Sequence, residues 1–406
     1  MNVLTMILAG GTGKELSVLT RQRAKTALPF GGRYRIIDFS LSNCTHAGIT
    51  DISILAQHSP KSLTYHIGMG KPWDLDRKSG GVYILQPTFD GGVAQWYRGT
   101  ADALYQNIDV IRNSTADLVL VLSGDQVYVM DYRDMIACHR DSGAAVTIAT
   151  KEITPSQRSR FGMIGCTPDG VVTNFEEKPI SSSFRYASLG IYLFDRRFLL
   201  DHLHEGRIDI VFDIFMPLLE RGQIARYHFD GYWEDIGSLQ SYYRASLRLI
   251  RDRSILLSPG WPIYTRGSNL PPARFAKGSR AIDSIISNGC IVEGEVEGSV
   301  LFPGVHIARG SRVEKSVIFS YSKIGNGASV KRSIIDKHVL VGTGAEVGLT
   351  RSRPGEGNSK LMLNNASPLK AKLVLIGKGA RLKQGSIVPV GTMIEPRYRP
   401  GKWGEG

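Results

Sequence analysis

Short apolar runs rich in β-branched residues recur along the first 250 or so residues. The runs are Val3–Leu8, Asp51–Ala56, Asp117–Ser123, Ala144–Ala149 and Ala187–Phe194. Between them lie stretches with helical spacing, such as Thr100–Asn113. Its apolar residues Leu104, Ile108 and Ile111 fall on one helical face, and Thr100 precedes them as a candidate N-cap. Strands that alternate with helices predict an α/β domain with a mostly parallel sheet covered on both faces.

From about residue 276 the pattern becomes a repeat of seventeen residues. Copies begin at Ser299, Ser316 and Ser333, and an earlier copy begins at Ser284. Each copy places an apolar residue eight positions after its serine, and the last three copies place another at fourteen positions and a glycine at a corner. These positions hold Val292, Ile307, Ile324 and Val341, then Val313, Val330 and Val347, with Gly310, Gly327 and Gly344 at the corners. About six residues per side and three sides per coil predict a left-handed parallel β-helix.

The same patterns predict the domain boundaries. A polar stretch, Arg351–Lys370, interrupts the repeat, which resumes at Leu373–Val390 with Ile376, Leu382 and Val388 six residues apart. Four prolines in 258–278 indicate a linker. We therefore expect an α/β domain at 1–255, a linker at 256–278, a β-helix domain at 279–395 and a tail at 396–406.

The first apolar run ends in a glycine-rich turn. Its glycines are Gly10, Gly11 and Gly13, and the basic residues Arg21, Arg23 and Lys25 follow. Backbone N–H groups that no side chain covers suit phosphate oxygens, and the basic residues would supply countercharge. The dinucleotide fingerprint fails because Leu16 holds the third glycine position, and the P-loop fails because Glu15 follows Lys14. A tight turn that binds nothing is the alternative.

Composition and charge narrow the classes of protein. The 406 residues exceed what one core usually covers, and the net charge of +13 indicates an anionic small-molecule substrate or a basic surface. Lysines and arginines are scattered without a nucleic-acid-binding motif, so we expect no nucleic acid as partner. The N-terminal apolar run is too short to span a membrane, so we expect no membrane partner. Four widely spaced cysteines indicate free thiols and a cytoplasmic protein.

Several further segments occur in one order along the first half. They are Leu8-Ala-Gly-Gly, Arg23-Ala-Lys25, Phe30-Gly-Gly-Arg-Tyr-Arg-Ile-Ile-Asp-Phe39, Leu41-Ser-Asn-Cys44, Trp96-Tyr-Arg-Gly-Thr-Ala-Asp-Ala103, Gly124-Asp125, Phe175-Glu-Glu-Lys-Pro179, Ser188-Leu-Gly-Ile-Tyr192 and Tyr232-Trp-Glu-Asp-Ile-Gly237. In this order the chain resembles the bacterial ADP-glucose pyrophosphorylases (glucose-1-phosphate adenylyltransferases) of glycogen synthesis. The resemblance implies a Rossmann-like nucleotidyltransferase domain before the β-helix. It also implies synthesis of ADP-glucose and pyrophosphate from ATP and α-D-glucose 1-phosphate.

The resemblance also implies roles for single residues. Asp125 and Asp235 would hold Mg²⁺ on the triphosphate, and Lys25 and Asp125 would be catalytic. Substrate-binding positions would be Leu8, Gly10, Gly11, Gly13, Lys14, Gln57, Tyr97, Gly99, Thr100, Gly162, Glu177, Lys178, Ser188 and Tyr192. Mg²⁺ favours one or two carboxylates together with phosphate oxygens, which agrees with this assignment. From the residues alone, Asp125 could equally be a turn residue, and Glu177 with Lys178 an exposed ion pair.

The sequence departs from the family motifs at three places. The loop motif Gly-x-Gly-x-Arg-Leu has Glu15 in place of its arginine, Arg-Ala-Lys-Pro has Thr26 in place of proline, and Gly-Asp-His ends in Gln126. A reversed charge beside a polyphosphate costs several kcal/mol unless it is compensated. Three interpretations follow: an active enzyme in which Lys14 and Lys25 replace the arginine, a catalytically impaired regulatory subunit, or a nucleotidyltransferase for another sugar nucleotide.

Only the resemblance gives an expectation for assembly and regulation. It implies an allosteric homotetramer, or a hetero-oligomer with a homologous subunit. An activator-site lysine of some members falls at Gln22, so the effector cannot be inferred. Arg21, Arg23 and Arg33 could hold an anion or be solvated.

Overall fold

The computed structural model describes residues 2–87, 89–90, 93–252, 260–349, 366–369 and 372–397. The chain forms two compact units. The first contains Met1–Thr12, Ala24–Thr26 and Ile37–Trp233, and the second contains Gly13–Arg23, Ala27–Ile36 and Glu234–Gly406. The predicted linker at 256–278 and tail at 396–406 lie partly outside the described residues.

A nine-stranded mixed sheet organises the first unit. Its strands are β1 (Val3–Ala9), β2 (Asp51–Ala56), β3 (Gly81–Leu85), β4 (Leu118–Ser123), β5 (Val146–Glu152), β6 (Met163–Cys166), β7 (Val172–Glu176), β8 (Tyr186–Asp195) and β9 (Ile224–His228). The order is β7-β6-β8-β4-β1-β2-β3, and β5 pairs with both β8 and β9. The neighbours β4, β1, β2 and β3 run parallel, whereas β8 runs antiparallel to β4. The expected α/β domain with a mostly parallel sheet is confirmed, and β7 and β8 run opposite to the other strands.

Helices connect and cover these strands. They are α1 (Ile36–His46), α2 (Lys61–Ile67), α3 (Thr100–Tyr105), α4 (Ile108–Asn113), α5 (Tyr132–Ser142) and α6 (Arg196–His202). Short 3₁₀ turns occur at Lys25–Ala27, Lys71–Trp73, Pro155–Arg160 and Met216–Arg221, and a π-helical turn occurs at Val211–Phe215. Short strands occur at Phe89–Asp90, Val93–Ala94 and Gln126–Tyr128.

The segment Thr100–Asn113 is helical, as its spacing predicts, but it is broken between α3 and α4. Asn107 leaves the helical conformation, with φ −117° and ψ 24°. Its side-chain amide donates hydrogen bonds to the Tyr97 hydroxyl and to the Ala103 carbonyl. These local bonds compete with the helical ladder. The apolar spacing continues across the break, which is why the pattern alone did not reveal it.

The repeat in the second unit folds as predicted, into three parallel sheets. One sheet contains Arg274–Phe275, Ile291–Val292, His306–Ile307, Lys323–Ile324 and Leu340–Val341. The next contains Arg280–Ile282, Glu295–Glu297, Arg312–Glu314, Ser329–Lys331, Glu346–Leu349 and Ile387–Pro389. The third contains Ile285–Ile286, Val300–Leu301, Val317–Ile318, Ser333–Ile335, Val374–Ile376, Thr392–Ile394 and the antiparallel Ala366–Pro368. Of the predicted polar interruption, Arg351–Lys370, only residues 366–369 lie among the described residues.

The repeated serines and apolar residues stack coil on coil. Val292 pairs with Ile307, which pairs with Ile324, and all three are buried. Successive serines also bond to one another, since the Ser316 N–H donates to the Ser299 hydroxyl. The Ser333 N–H then donates to the Ser316 hydroxyl. The seventeen-residue spacing therefore reflects one turn of the coil.

A helix and an N-terminal hairpin also belong to the second unit. Helix α7 (Leu239–Arg251) begins with a capping box at Ser238 and Ser241. Within it, the Tyr242 hydroxyl donates to the Pro29 carbonyl at 2.7 Å, and the ring packs edge-on against Phe319. Pro29 opens the hairpin of Pro29–Phe30 and Tyr34–Arg35. A 3₁₀ helix at Lys14–Leu19 and the strand Trp233–Asp235 complete the elements.

The four cysteines are free thiols, and Cys44 and Cys290 are buried. Burial raises the pKa of Cys44 to about 12, so this thiol is inert. Among the described helices, none combines the length and the apolar character needed to cross a membrane.

Ile324 tests the stacking of the coils. Replacement by alanine removes buried methylenes from the centre of the β-helix and should lower the free energy of unfolding by about 2–5 kcal/mol. Urea unfolding followed by circular dichroism measures this loss. The exposed neighbour Lys323 provides the control, since Lys323→Ala should change stability by less than about 0.5 kcal/mol. Equal effects of the two substitutions would contradict the stacking.

Candidate active site

A cavity of about 380 Å³ opens at the carboxyl ends of β1, β2 and β4 in the first unit. Parallel strands present their carboxyl ends at one edge, where α/β folds bind ligands. Nine of the predicted site residues line the cavity: Leu8, Gly10, Gly11, Lys25, Gln57, Tyr97, Gly99, Thr100 and Asp125. Seven residues that the sequence did not single out as site residues complete the lining: Ala9, Thr12, Thr26, Leu55, His58, Ala103 and Ser123.

The glycine turn lies open at this edge. A Cβ on Gly11 would meet no atom within 4 Å, so its backbone is uncovered. A Cβ on Gly10 would lie 3.6 Å from the side chains of Gln57 and Tyr97, so the turn adjoins the next group of predicted residues. Gly13 and Lys14 belong to the second unit, where Gly13 is left-handed and Lys14 is exposed. Their predicted contacts with substrate stay predictions.

Gln57 joins the ends of β2 and of the Trp96–Thr100 segment. Its Oε1 accepts a hydrogen bond from the Tyr97 backbone N–H at 2.5 Å. The adjacent His58 stacks on Trp96 with 5.3 Å between ring centroids and an interplanar angle of 11°. Tyr97 is buried, whereas Trp96 is about half exposed. A flat aromatic pair beside an amide is a surface suited to a nucleobase.

Gly99 and Thr100 are held by a neighbouring segment. A Cβ on Gly99 would lie 2.4 Å from the Ile208 carbonyl oxygen, so no other residue fits without a backbone shift. The Thr100 hydroxyl accepts from the Ile210 N–H at 2.9 Å and donates to Asp209 at 3.2 Å. Thr100 therefore anchors the cavity wall through its side chain.

Asp125 lies just beyond β4, paired with Lys25. The Lys25 Nζ is 2.5 Å from Asp125 Oδ2, and the Ser123 hydroxyl donates to Oδ1 at 2.6 Å. Burial alone would raise the pKa of Asp125, but the Lys25 ammonium and the Ser123 hydroxyl hold it below its usual value. Asp125 is therefore an ionised carboxylate. Ser123 was missed, although its place directly before Gly124-Asp125 at a strand end could have indicated it.

The donor set around Asp125 fits a hard divalent cation. It offers a carboxylate and a hydroxyl oxygen, and Mg²⁺ completes its shell with phosphate oxygens and water. Within the described residues, no three His, Cys, Asp or Glu side chains form a metal cluster. Asp235 belongs to the second unit, so its share in a metal site stays a prediction.

The remaining predicted residues form a second group in the same unit, around β8. The Ser188 N–H donates to the Gly162 carbonyl at 2.7 Å. The Lys178 Nζ lies 3.0 Å from Glu177 Oε1, with the lysine side chain 65 % exposed and its φ at +44°. Burial raises the pKa of Tyr192 to about 12, so its hydroxyl stays a donor. An exposed cation beside hydroxyl donors suits a phosphorylated sugar.

Gln126 connects this group with the end of β4. The residue is 6 % exposed. Its Nε2 donates to the Leu189 carbonyl at 2.6 Å, and its Oε1 accepts from the Trp233 indole at 3.0 Å. Leu189 lies beside Ser188 on β8, so the amide fixes the strand that carries the second group. Gln126 is a buried structural bridge.

The comparisons with known proteins match this architecture. The sequence profile described as nucleotidyl transferase matches residues 4–252, more than half of the chain. A second profile, described as a GlmU-like C-terminal hexapeptide domain, matches residues 271–357. The curated relatives below cover more than two thirds of this chain, and each is named glucose-1-phosphate adenylyltransferase. The chain belongs to this family of nucleotidyl transferases.

Three relatives illustrate the similarity. The glucose-1-phosphate adenylyltransferase of Thermomicrobium roseum is 49% identical over 300 residues, which cover 72% of this chain and 70% of that protein. The protein of the same name from Pseudothermotoga lettingae is 47% identical over 320 residues, 77% of this chain and 76% of its own. The one from Halalkalibacterium halodurans is 43% identical over 320 residues, 77% of this chain and 84% of its own. The family resemblance stated from the motifs is confirmed.

A cluster of cations lies near Asp336 in the second unit. Arg23 is 4 % exposed, and its Nη2 lies 2.7 Å from Asp336 Oδ1. Burial first, and then the charges of Arg35 and Arg23, lower the pKa of Lys337 to about 7. Burial is also the chief cause that lowers the pKa of Lys378. Several cations therefore lie close enough to affect one another's charge, and Asp336 pairs with one of them, Arg23.

The expectation that Arg21 and Arg23 supply countercharge to the glycine turn stays a prediction, and both arginines have carboxylate partners in the second unit. Arg21 pairs with Glu395 at 2.7 Å, and Arg23 pairs with Asp336. Both partners lie more than three hundred positions away along the chain, so neither pairing was visible in the local pattern. Arg33 is exposed.

Gln126 provides a test of the bridge between the two groups. Gln126→Ala leaves the buried Trp233 N–H without its acceptor and should cost about 1–3 kcal/mol in unfolding free energy. Gln126→His restores one donor and one acceptor and should recover part of this loss. Chemical denaturation measures both variants, and the exposed Gln22→Ala is the control. If Gln126→Ala leaves the unfolding free energy unchanged, the bridging role of Gln126 is excluded.

Proposed function

We propose that this chain synthesises ADP-glucose and pyrophosphate from ATP and α-D-glucose 1-phosphate, for the synthesis of an α-glucan such as glycogen. The observation that supports the proposal most directly is the cavity at the carboxyl ends of β1, β2 and β4. It joins an open glycine turn, an aromatic and amide surface and the Lys25–Asp125 pair. The names of the relatives agree with this activity.

The reaction is an in-line displacement at the α-phosphorus of ATP. An oxygen of the sugar phosphate forms the new P–O bond, the bond to the bridging oxygen breaks, and pyrophosphate leaves with that electron pair. The nucleophile is already an anion, so no general base is required. Catalysis therefore depends on positioning and on neutralising charge at the phosphorus.

Different residues of the first unit would position the substrates and neutralise their charge. Gln57, with the neighbouring aromatic rings, would bind the base, and the open backbone at Gly10 and Gly11 would bind phosphate oxygens. Lys25 would neutralise charge on the leaving diphosphate. Lys178 would bind the sugar phosphate, with Ser188 and Tyr192 as donors to the sugar.

Family members use a divalent metal, and we propose Mg²⁺ at Asp125, with Asp235 as the predicted second ligand. The ion would neutralise phosphate charge when it is bound with the triphosphate. Asp125 is ionised and already faces a cation, Lys25, at this position.

Glu15 remains the principal argument for the alternative, a catalytically impaired regulatory subunit. Glu15 and Lys14 are both exposed in a short 3₁₀ helix that follows Gly13. An exposed Lys14 next to a glycine is able to supply the cation that the motif has lost. The names of the relatives do not favour the impaired subunit or another sugar nucleotide.

Pyrophosphate release from ATP, glucose 1-phosphate and Mg²⁺ tests the activity. We expect turnover within the range typical of enzymes, about 1–1,000 per second. Asp125→Asn should lower kcat at least about a hundredfold, because it removes the charge that holds metal and lysine. The matched control is the exposed Asp201→Asn, which should retain activity.

Glu15→Arg separates the two interpretations in the same assay. Normal turnover by the parent protein excludes the regulatory subunit, whereas turnover by the arginine variant alone excludes the active enzyme.

Replacement of ATP by UTP or dTTP should abolish most of the product, and equal rates with these nucleotides would overturn the base assignment.

We further propose that the Asp336 cluster binds a regulatory anion. Arg23 pairs with Asp336, and the charges of Arg35 and Arg23 both act on Lys337 and Lys378, so an anion would gain several charge-assisted bonds there. Tetrameric assembly and allosteric regulation stay predictions from the resemblance, and a cytoplasmic location stays a prediction from the free cysteines.

The lowered pKa of Lys337 makes anion binding at this cluster depend on pH. Lys337 is half neutral near pH 7 in the free protein, and an anion favours its charged form, so binding takes up a proton. Sulfate, whose charge is constant over this range, should bind about tenfold more weakly at pH 8.5 than at pH 6.5. Calorimetry in two buffers of different ionisation heat measures affinity and proton uptake. Lys337→Arg should bind sulfate without this pH dependence; an unchanged profile would contradict the assignment.

A further inference from the structure

Thr26 carries a hydroxyl that the described part of the chain leaves without a hydrogen bond. The residue is only 2 % exposed, and its Oγ1 is buried and has no partner among the described residues. Buried hydroxyls in native proteins are nearly always hydrogen-bonded, because an unpaired one destabilises the fold. A hydroxyl retained in this state indicates a partner that arrives from outside the chain.

The position of Thr26 indicates what that partner is. Thr26 lines the cavity and directly follows Lys25, whose Nζ lies 2.5 Å from Asp125. The Thr26 methyl carbon Cγ2 would lie 3.0 Å from a Cβ on Gly124, so the methyl packs against the turn that carries Asp125. A ligand group that meets Lys25 here would be anionic and rich in oxygen, as a phosphate is.

The residue type adds to this argument. The family motif Arg-Ala-Lys-Pro ends in proline, which has neither a hydroxyl nor a backbone N–H. Thr26 therefore brings a donor to a place where the motif provides none. A purely structural replacement would have left this position apolar, and valine has nearly the same shape as threonine.

We propose that Thr26 is a ligand-binding residue whose hydroxyl donates a hydrogen bond to a phosphate oxygen of the nucleoside triphosphate, and of pyrophosphate in the reverse direction. The hydroxyl is covered in the free protein, and rotation about its Cα–Cβ bond brings it into the cavity when the phosphates enter. This inference rests on the proposed function, because it requires a polyphosphate next to Lys25.

A pair of substitutions tests the hydroxyl apart from the methyl group. Thr26→Val keeps the shape and removes the donor, whereas Thr26→Ser keeps the donor and removes the methyl. Calorimetry with Mg²⁺ present measures the binding of pyrophosphate, ATP and adenosine. We expect Thr26→Val to bind pyrophosphate and ATP about tenfold more weakly and adenosine unchanged, and Thr26→Ser to bind all three as the parent does.

The stability of the ligand-free protein also distinguishes a ligand-binding hydroxyl from one that stabilises the fold. Without ligand, Thr26→Val should resist urea at least as well as the parent, since it removes an unpaired buried hydroxyl. A lower urea midpoint would show that the hydroxyl has a partner in the free protein and would overturn the inference.

The binding outcomes separate this inference from the proposed function. If the parent releases pyrophosphate from ATP and glucose 1-phosphate but Thr26→Val binds pyrophosphate as tightly, only the inference fails. Equal losses in the valine and serine variants, or a parallel loss for adenosine, would also overturn it, because packing would then be the cause. A parent that binds neither ATP nor pyrophosphate overturns both.

Discussion

The parallel register of β1 with its two neighbours is the constraint on which the first unit depends. Leu8 is paired with Leu55 of β2 on one side and with Ser123 of β4 on the other. The three strands therefore end level, and the residues that follow them, such as Gly10 and Asp125, meet at one edge. Successive side chains of β1 are buried on the two faces of the sheet in turn, so a slip of one residue would exchange the side chains of both faces and disrupt the packing on each.

Close contacts at this edge leave little freedom to the groups that would carry out the chemistry. Gly99 lies against the Ile208 carbonyl, where a Cβ would clash. Gly190 has φ +66°, and a Cβ there would lie 3.2 Å from Ser123, so β8 approaches the end of β4 closely. The Lys25–Asp125 pair is held in the same small region. Charges fixed before the substrate arrives need no reorganisation during the reaction, which is how such sites stabilise a transition state.

Periodicity predicted what depends on local contacts and missed what depends on distant ones. The strand Asp51–Ala56 and the stacked positions of the β-helix follow from side chains that repeat along one face, and both appear as predicted. The break at Asn107 and the pairing of Arg23 with Asp336 depend on partners that a pattern does not show. The motif resemblance supplied most of the cavity residues, because motifs record distant contacts that periodicity cannot. Thr26 and Ser123 were not among them, since their importance lies in contacts with single atoms.

The three departures from the family motifs differ in the effect that each should have on catalysis. A neutral histidine offers one donor and one acceptor, and Gln126 uses one of each, toward Leu189 and Trp233. The glutamine therefore preserves the hydrogen-bonding capacity of the residue that it replaces, and it no longer argues for an impaired subunit. Thr26 likewise adds a donor to a cavity suited to phosphates. The remaining departure, Glu15, is a reversal of charge at an exposed position of the short 3₁₀ helix, next to Lys14, where screening by solvent reduces its effect. The balance of these three changes favours an active enzyme.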